Sequence, residues 1–154
     1  MAAQIKSGNY RLTAMNNECL TMSSDKEGKR LTISPLNWKN DQIFQINFQN
    51  SDSSVTLKSV EHGLYVSCDN NPTAYSGIHA SRSAQKFKLE AGSRPNQRRL
   101  YVKGPLIKLY MWYSLSRAPI NPPQAGLIPD NPGIALKNWR LEAVDTGSFS
   151  KSMM

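Results

Sequence analysis

The chain has 154 residues, a length that suits one domain, and a net charge of +8 from nineteen Lys and Arg against eleven Asp and Glu. With 39% hydrophobic and 19% charged residues, its composition is neither that of a disordered chain nor that of a membrane protein. No apolar run approaches the roughly 18 residues of a spanning helix, and Met1 to Tyr10 lacks the apolar segment of a secretion signal, so a soluble cytoplasmic protein is expected.

Taken in chain order, the predicted elements are strands. Tyr10–Ala14, Leu31–Ile33, Phe44–Phe48, Val55–Val60 and Phe87–Glu90 alternate apolar with polar side chains, the mark of half-buried strands, and Gly, Asn, Asp, Ser and Pro fill the intervals. No window carries an apolar stripe at helical spacing. The chain therefore reads as all-β. Cys19 and Cys68 are too few for a disulfide framework and are read as reduced thiols; with His62 and His79 they form no metal-ligand spacing, so no metal or other cofactor is expected.

The strands repeat. Leu12, Leu57 and Val102 are spaced by 45, and Leu20, Tyr65 and Tyr110 keep the same interval eight residues later. Each unit also closes alike, on Gln42-Ile43-Phe44, Gln85-Lys86-Phe87 and Lys137-Asn138-Trp139; the intervals of 43 and 52 between the aromatics place an insertion in the third unit. Three units, about 7–50, 51–93 and 94–144, give twelve strands, and a unit this small cannot bury its apolar face alone. Closing the three into one short barrel with a hairpin cap solves that and removes most sheet edges. A single domain over 1–147 and a flexible tail at 148–154 follow.

The closing segments resemble a degraded form of the Gln-x-Trp repeat of ricin-B-type β-trefoils, over nearly the whole chain from Ser7 to Val144. The segments Ser7-Gly8-Asn9-Tyr10-Arg11-Leu12 and Leu31-Thr32-Ile33-Ser34-Pro35-Leu36 look like those of small cytoplasmic fungal trefoils, found in mushrooms. That resemblance implies a β-trefoil whose activity sits in its loops, in one of two classes: lectins, or protease inhibitors of the clitocypin, macrocypin and cospin kind. Phe44, Phe87 and Trp139 are read as core.

A sugar-binding loop needs an aromatic ring for the C–H face of a pyranose and short polar side chains for its hydroxyls. In the first unit Asp25, Trp38 and Asn40 resemble the ricin-type order of acid, aromatic and amide. In the second, Asp69, Asn70 and Asn71 stand ahead of Tyr75. In the third, Trp112 and Tyr113 lie on the aromatic strand Tyr110–Ser114, which resembles a stretch of a fucose-binding mushroom lectin group. The inhibitor alternative rests on two basic loops. Arg117-Ala118, in the proline-rich insertion Ser114–Gly133, offers a basic anchor for a trypsin-like enzyme, and Lys29 and Arg30 lie where the cospin-like proteins carry an inhibitory loop.

Between Ala91 and Ile128 there are six basic residues and no acidic one, but they stand singly in strand-like segments, and a nucleic-acid partner through Arg98, Arg99, Tyr101, Lys103, Lys108 and Tyr110 is the least favoured reading. No nucleophile elbow, phosphate loop or metalloprotease motif is present, so the chain is read as a non-enzyme. A glycan or glycoprotein is the expected partner, a protease the alternative; whether the chain pairs with a second copy is left open.

Overall fold

The computed structural model describes residues 5–14, 17–70, 72, 76–104, 107–113, 125–129 and 137–144, with Tyr113 described through its backbone only. The described residues form twelve strands, four to a unit. The first unit holds β1 (Gly8–Thr13), β2 (Glu18–Thr21), β3 (Thr32–Pro35) and β4 (Phe44–Gln49). The second holds β5 (Ser54–Ser59), β6 (Tyr65–Ser67), β7 (His79–Ser81) and β8 (Phe87–Ala91), and the third β9 (Gln97–Lys103), β10 (Lys108–Tyr113), β11 (Ala125–Pro129) and β12 (Trp139–Ala143).

Antiparallel pairing runs β1–β4–β5–β8–β9–β12 and returns to β1, so the first and last strands of the units close a six-stranded barrel with no free edge. The inner strands of each unit pair as hairpins, β2 with β3, β6 with β7 and β10 with β11. These hairpins meet as a triangular cap. The Leu31 N–H donates to the Ile78 carbonyl (2.8 Å), Ile78 to Ala125 (3.3 Å) and Ala125 back to Leu31 (3.1 Å). This ring of backbone bonds marks the pseudo-threefold axis, on residues 47 apart.

The core sits on that axis. Leu12, Leu57 and Val102 are buried, and Phe44, Phe87 and Trp139 are each 0% exposed within one cluster, as their repetition requires. Trp139 keeps its indole N–H satisfied by donating to the Met111 carbonyl at 3.1 Å.

The second-strand equivalence needs a correction. Leu20 pairs with Ile33, Val66 with Ala80 and Met111 with Leu127, so the inward trio is Leu20, Val66 and Met111, each 0% exposed. Tyr65 and Tyr110 stand one residue before their units' inward positions, and a one-residue offset in a strand turns a side chain to the opposite face. Tyr65 is accordingly half-buried beside Lys58, whose Nζ lies 5.5 Å from the ring centroid. Tyr110 is buried away from the axis, its hydroxyl donating to Glu90 and its ring 5.4 Å from that of Tyr101.

Cys19 and Cys68 are free and buried. Among the described residues no helix is long and apolar enough to cross a membrane, and no group of three or more His, Cys, Asp or Glu is placed to hold a metal ion.

Candidate functional site

Two clefts occupy corresponding places in the first and second units. The first, of about 450 Å³, is lined by Ser23 after β2, by Trp38, Lys39, Asn40 and Asp41 between β3 and β4, and by Glu61 and His62 from the β5–β6 turn of the next unit. Its shape comes from a local turn. The Asn37 side chain accepts the Lys39 N–H (2.8 Å) and donates to Asp41 Oδ1 (3.1 Å), while its own N–H donates to Gln42 Oε1 (2.9 Å). Buried Gln42 anchors this turn by donating to the Pro35 carbonyl and the Thr21 hydroxyl. A single 3-10 turn over Asn40–Gln42 then leads into β4.

The turn forces Trp38 outward. Its φ is +60°, a left-handed conformation that costs a side-chain-bearing residue on the order of 1–2 kcal/mol. The indole is 74% exposed, and the Arg11 guanidinium from β1 lies 5.0 Å from its ring centroid. Arg11 is in turn 3.8 Å from Glu142 of β12. Burial pushes the Glu142 carboxyl up, but hydrogen bonds from Thr13 and Arg140 outweigh it and hold the group below its ordinary value. The ring thus stands on a fixed cationic base, open to solvent.

The second cleft, of about 420 Å³, joins Cys68, Asp69, Asn70 and Pro72 after β6 with Gln85, Lys86 and Lys88 around the start of β8 and Tyr101, Val102 and Lys103 at the end of β9. Lys86 and Lys88 share the Asp52 carboxylate at 3.7 and 4.0 Å, and Lys88 also donates to the Asp52 carbonyl at 2.9 Å. A hydrogen bond from Ser54, joined by the two lysines, keeps the Asp52 carboxyl below its ordinary value. Asp69 lies 3.5 Å from His79 Nε2. Burial, with the Asp69 charge adding to it, pushes the Cys68 thiol up to about 11, so it is a protonated, unreactive part of the wall. Behind the cleft, Lys108 Nζ lies 4.6 Å from the Tyr101 ring centroid, and Glu90 receives Arg99 and Lys108, each at 3.4 Å.

Solved structures give a consistent match for this architecture. The Macrolepiota procera ricin B-like lectin, determined with lactose, superposes with a TM-score of 0.76 at 17% identity, over 92% of this chain and 99% of that one. The Rhizoctonia solani agglutinin gives 0.78 at 16% identity, over 92% and 98%. A designed threefold-symmetric protein, ThreeFoil, gives 0.75 at 14% identity, over 89% and 99%. The chain is a β-trefoil. No family model and no curated protein sequence matches it.

Within the trefoil, each described cleft is assembled from the loop after a unit's second strand, the approach to its fourth, and the opening hairpin of the following unit. The structure places Trp38 and Asn40 in one cleft, together with Asp41, Glu61 and His62. The last two belong to the next unit, and no spacing within the first unit signals them. Asp25 is exposed on the turn after β2 and is not among the residues lining the first cleft. Asp41, next to Gln42, and Glu61 are the carboxylates found there instead.

Asp69 lines the second cleft, whereas Asn71 and Tyr75 lie outside the described residues. Trp112 is half-buried on β10, opposite in facing to Met111; the side chain of Tyr113, and both Arg117 and Ala118, also lie outside them. Lys29 is exposed, but Arg30 is half-buried, its Nε donating to the Ala125 carbonyl at 3.0 Å. Arg30 lies across the cap against Gly77, its counterpart 47 residues on, where an added Cβ would stand 2.8 Å from its Nε. It works as a fastening of the cap.

Proposed function

We propose that this trefoil is a carbohydrate-binding protein, with the first cleft as its principal saccharide site. Trp38 carries the reading: its indole is held in a strained backbone conformation, backed on one side by Arg11 and left 74% exposed, so the fold spends strain to present the ring to solvent. The ring offers a flat apolar face for the C–H side of a pyranose. Asn40, which makes no side-chain hydrogen bond among the described residues, and the second oxygen of Asp41 meet hydroxyls at the ring's edge. Because Arg11, Asn37 and Gln42 already fix the turn, little conformational freedom remains to be lost on binding.

The lectins among the structural neighbours support a glycan partner, and a binding role without catalysis fits them. Inhibition of proteases through Lys29 and Arg30 has less support, since Arg30 is tied to the cap and leaves one basic side chain to present. The reading is tested on a glycan array. The parent protein is expected to retain a defined set of saccharides, and Trp38→Ala to lose them with an unchanged thermal midpoint; retention of the same saccharides by the variant would remove Trp38 from the site.

A further inference from the structure

The second cleft differs from the first in the sign of its charge. Three lysines, Lys86, Lys88 and Lys103, face it against one lining carboxylate, Asp69, which is engaged by His79. Asp52, behind Lys86 and Lys88, offsets one further charge and fixes where those two amines stand. Lys103 is exposed and has no acidic partner among the described residues. In the first cleft, by contrast, Lys39 faces two carboxylates, Asp41 and Glu61.

We propose that the second cleft binds an acidic saccharide, with the carboxylate or sulfate of the sugar seated among Lys86, Lys88 and Lys103 and the pyranose lying along Tyr101. This rests on the carbohydrate reading above and gives the trefoil two sites of different preference, one for neutral and one for anionic glycans. Ammonium groups are compact point charges that suit a rounded sulfate or carboxylate from several directions. The Asn70 and Gln85 amides supply donors and acceptors for neighbouring hydroxyls, and about 420 Å³ accommodates a substituted ring. A nucleic acid fits less well. Arg99 and Lys108 are engaged on Glu90 and Arg98 donates to the Pro95 and Gln97 carbonyls, so Lys103 stands apart from the other basic residues of that stretch and no continuous phosphate track emerges.

The test titrates the full chain with a sialylated and a sulfated lactosamine, their neutral parent, inorganic sulfate and a single-stranded oligonucleotide, at low and high salt. At least one acidic saccharide is expected to bind, several-fold more weakly at high salt because partly exposed charges are screened. Lys103→Glu and Lys86→Ala are expected to weaken it at least about tenfold, the loss of one charge-assisted contact, while leaving the thermal midpoint and neutral-glycan binding as in the parent. Trp38→Ala should do the reverse. Neutral glycans bound with no acidic preference, or indifference to both lysine variants, overturns this inference and leaves the carbohydrate reading standing. Binding of inorganic sulfate alone, or tighter binding of the oligonucleotide than of any acidic saccharide, overturns it as well. If no saccharide of either kind binds, both readings fall.

Discussion

The two clefts are cut from the same three parts of the repeat, yet one is an indole among carboxylates and the other a tyrosine among lysines. Backbone geometry is shared because the hidden positions must match: Leu12 with Leu57 and Val102, Phe44 with Phe87 and Trp139. Nothing in the core constrains what the loops expose, so those residues are free to diverge. The closing position makes the point within a few ångströms. Gln42 is buried and knits β2, β3 and the Trp38 turn, Gln85 is half-buried and reaches only the next carbonyl, and Lys137 is buried with its Nζ 5.2 Å from the Tyr110 ring centroid.

The comparison breaks most completely at the shared core. Trp139→Ala opens a void on the axis and should cost about 3–5 kcal/mol of stability, read in denaturant unfolding, with saccharide binding at both clefts falling together. A variant that weakens one cleft alone would show the units to be less coupled than the common core requires. Next in size, Trp38→Ala should remove roughly 2 kcal/mol or more of neutral-glycan binding, about thirtyfold in affinity, as expected for a central aromatic contact, and leave the lysine cleft untouched.

Gln42→Ala should cost about 1–3 kcal/mol by stranding the polar groups that it bonds, and should loosen the Trp38 turn. Gln85→Ala, at the equivalent place, should change the thermal midpoint little, because only one exposed bond is lost. Equal effects from the two would erase the distinction drawn between the clefts. The smallest effect is on pH. Because the folded state holds Glu142 below its ordinary value of 4.5, the stability it contributes is complete above that pH and is lost as pH falls through the lower folded value. A thermal midpoint followed from neutral pH downward should decline there, and Glu142→Gln should flatten the decline.

Much of the fold was legible in the chain, for a specific reason. Burial at a repeated position demands an apolar side chain, so Phe44, Phe87 and Trp139 announce the axis without any structure. The register of the second strands was not legible, since Leu20, Tyr65 and Tyr110 keep a regular spacing while the inward residues are Leu20, Val66 and Met111. Spacing records the loop lengths along with the pairing, and only the hydrogen-bonded ladder separates them. The make-up of the candidate cleft was legible only in part. Asp25, Trp38 and Asn40 resemble the ricin-type order of acid, aromatic and amide; Trp38 and Asn40 line one cleft, and Asp25 stays out of it.

By itself the sequence determined the architecture, because a threefold recurrence of apolar residues leaves one economical way to hide them all. Tertiary structure alone decided which residues meet: each cleft borrows its third wall from the following unit, Arg30 is tied to the cap, and Asp52 sets where Lys86 and Lys88 stand before any ligand arrives. Such meetings depend on chain crossings between units, and those are fixed by the closure of the barrel rather than by any local run of residues.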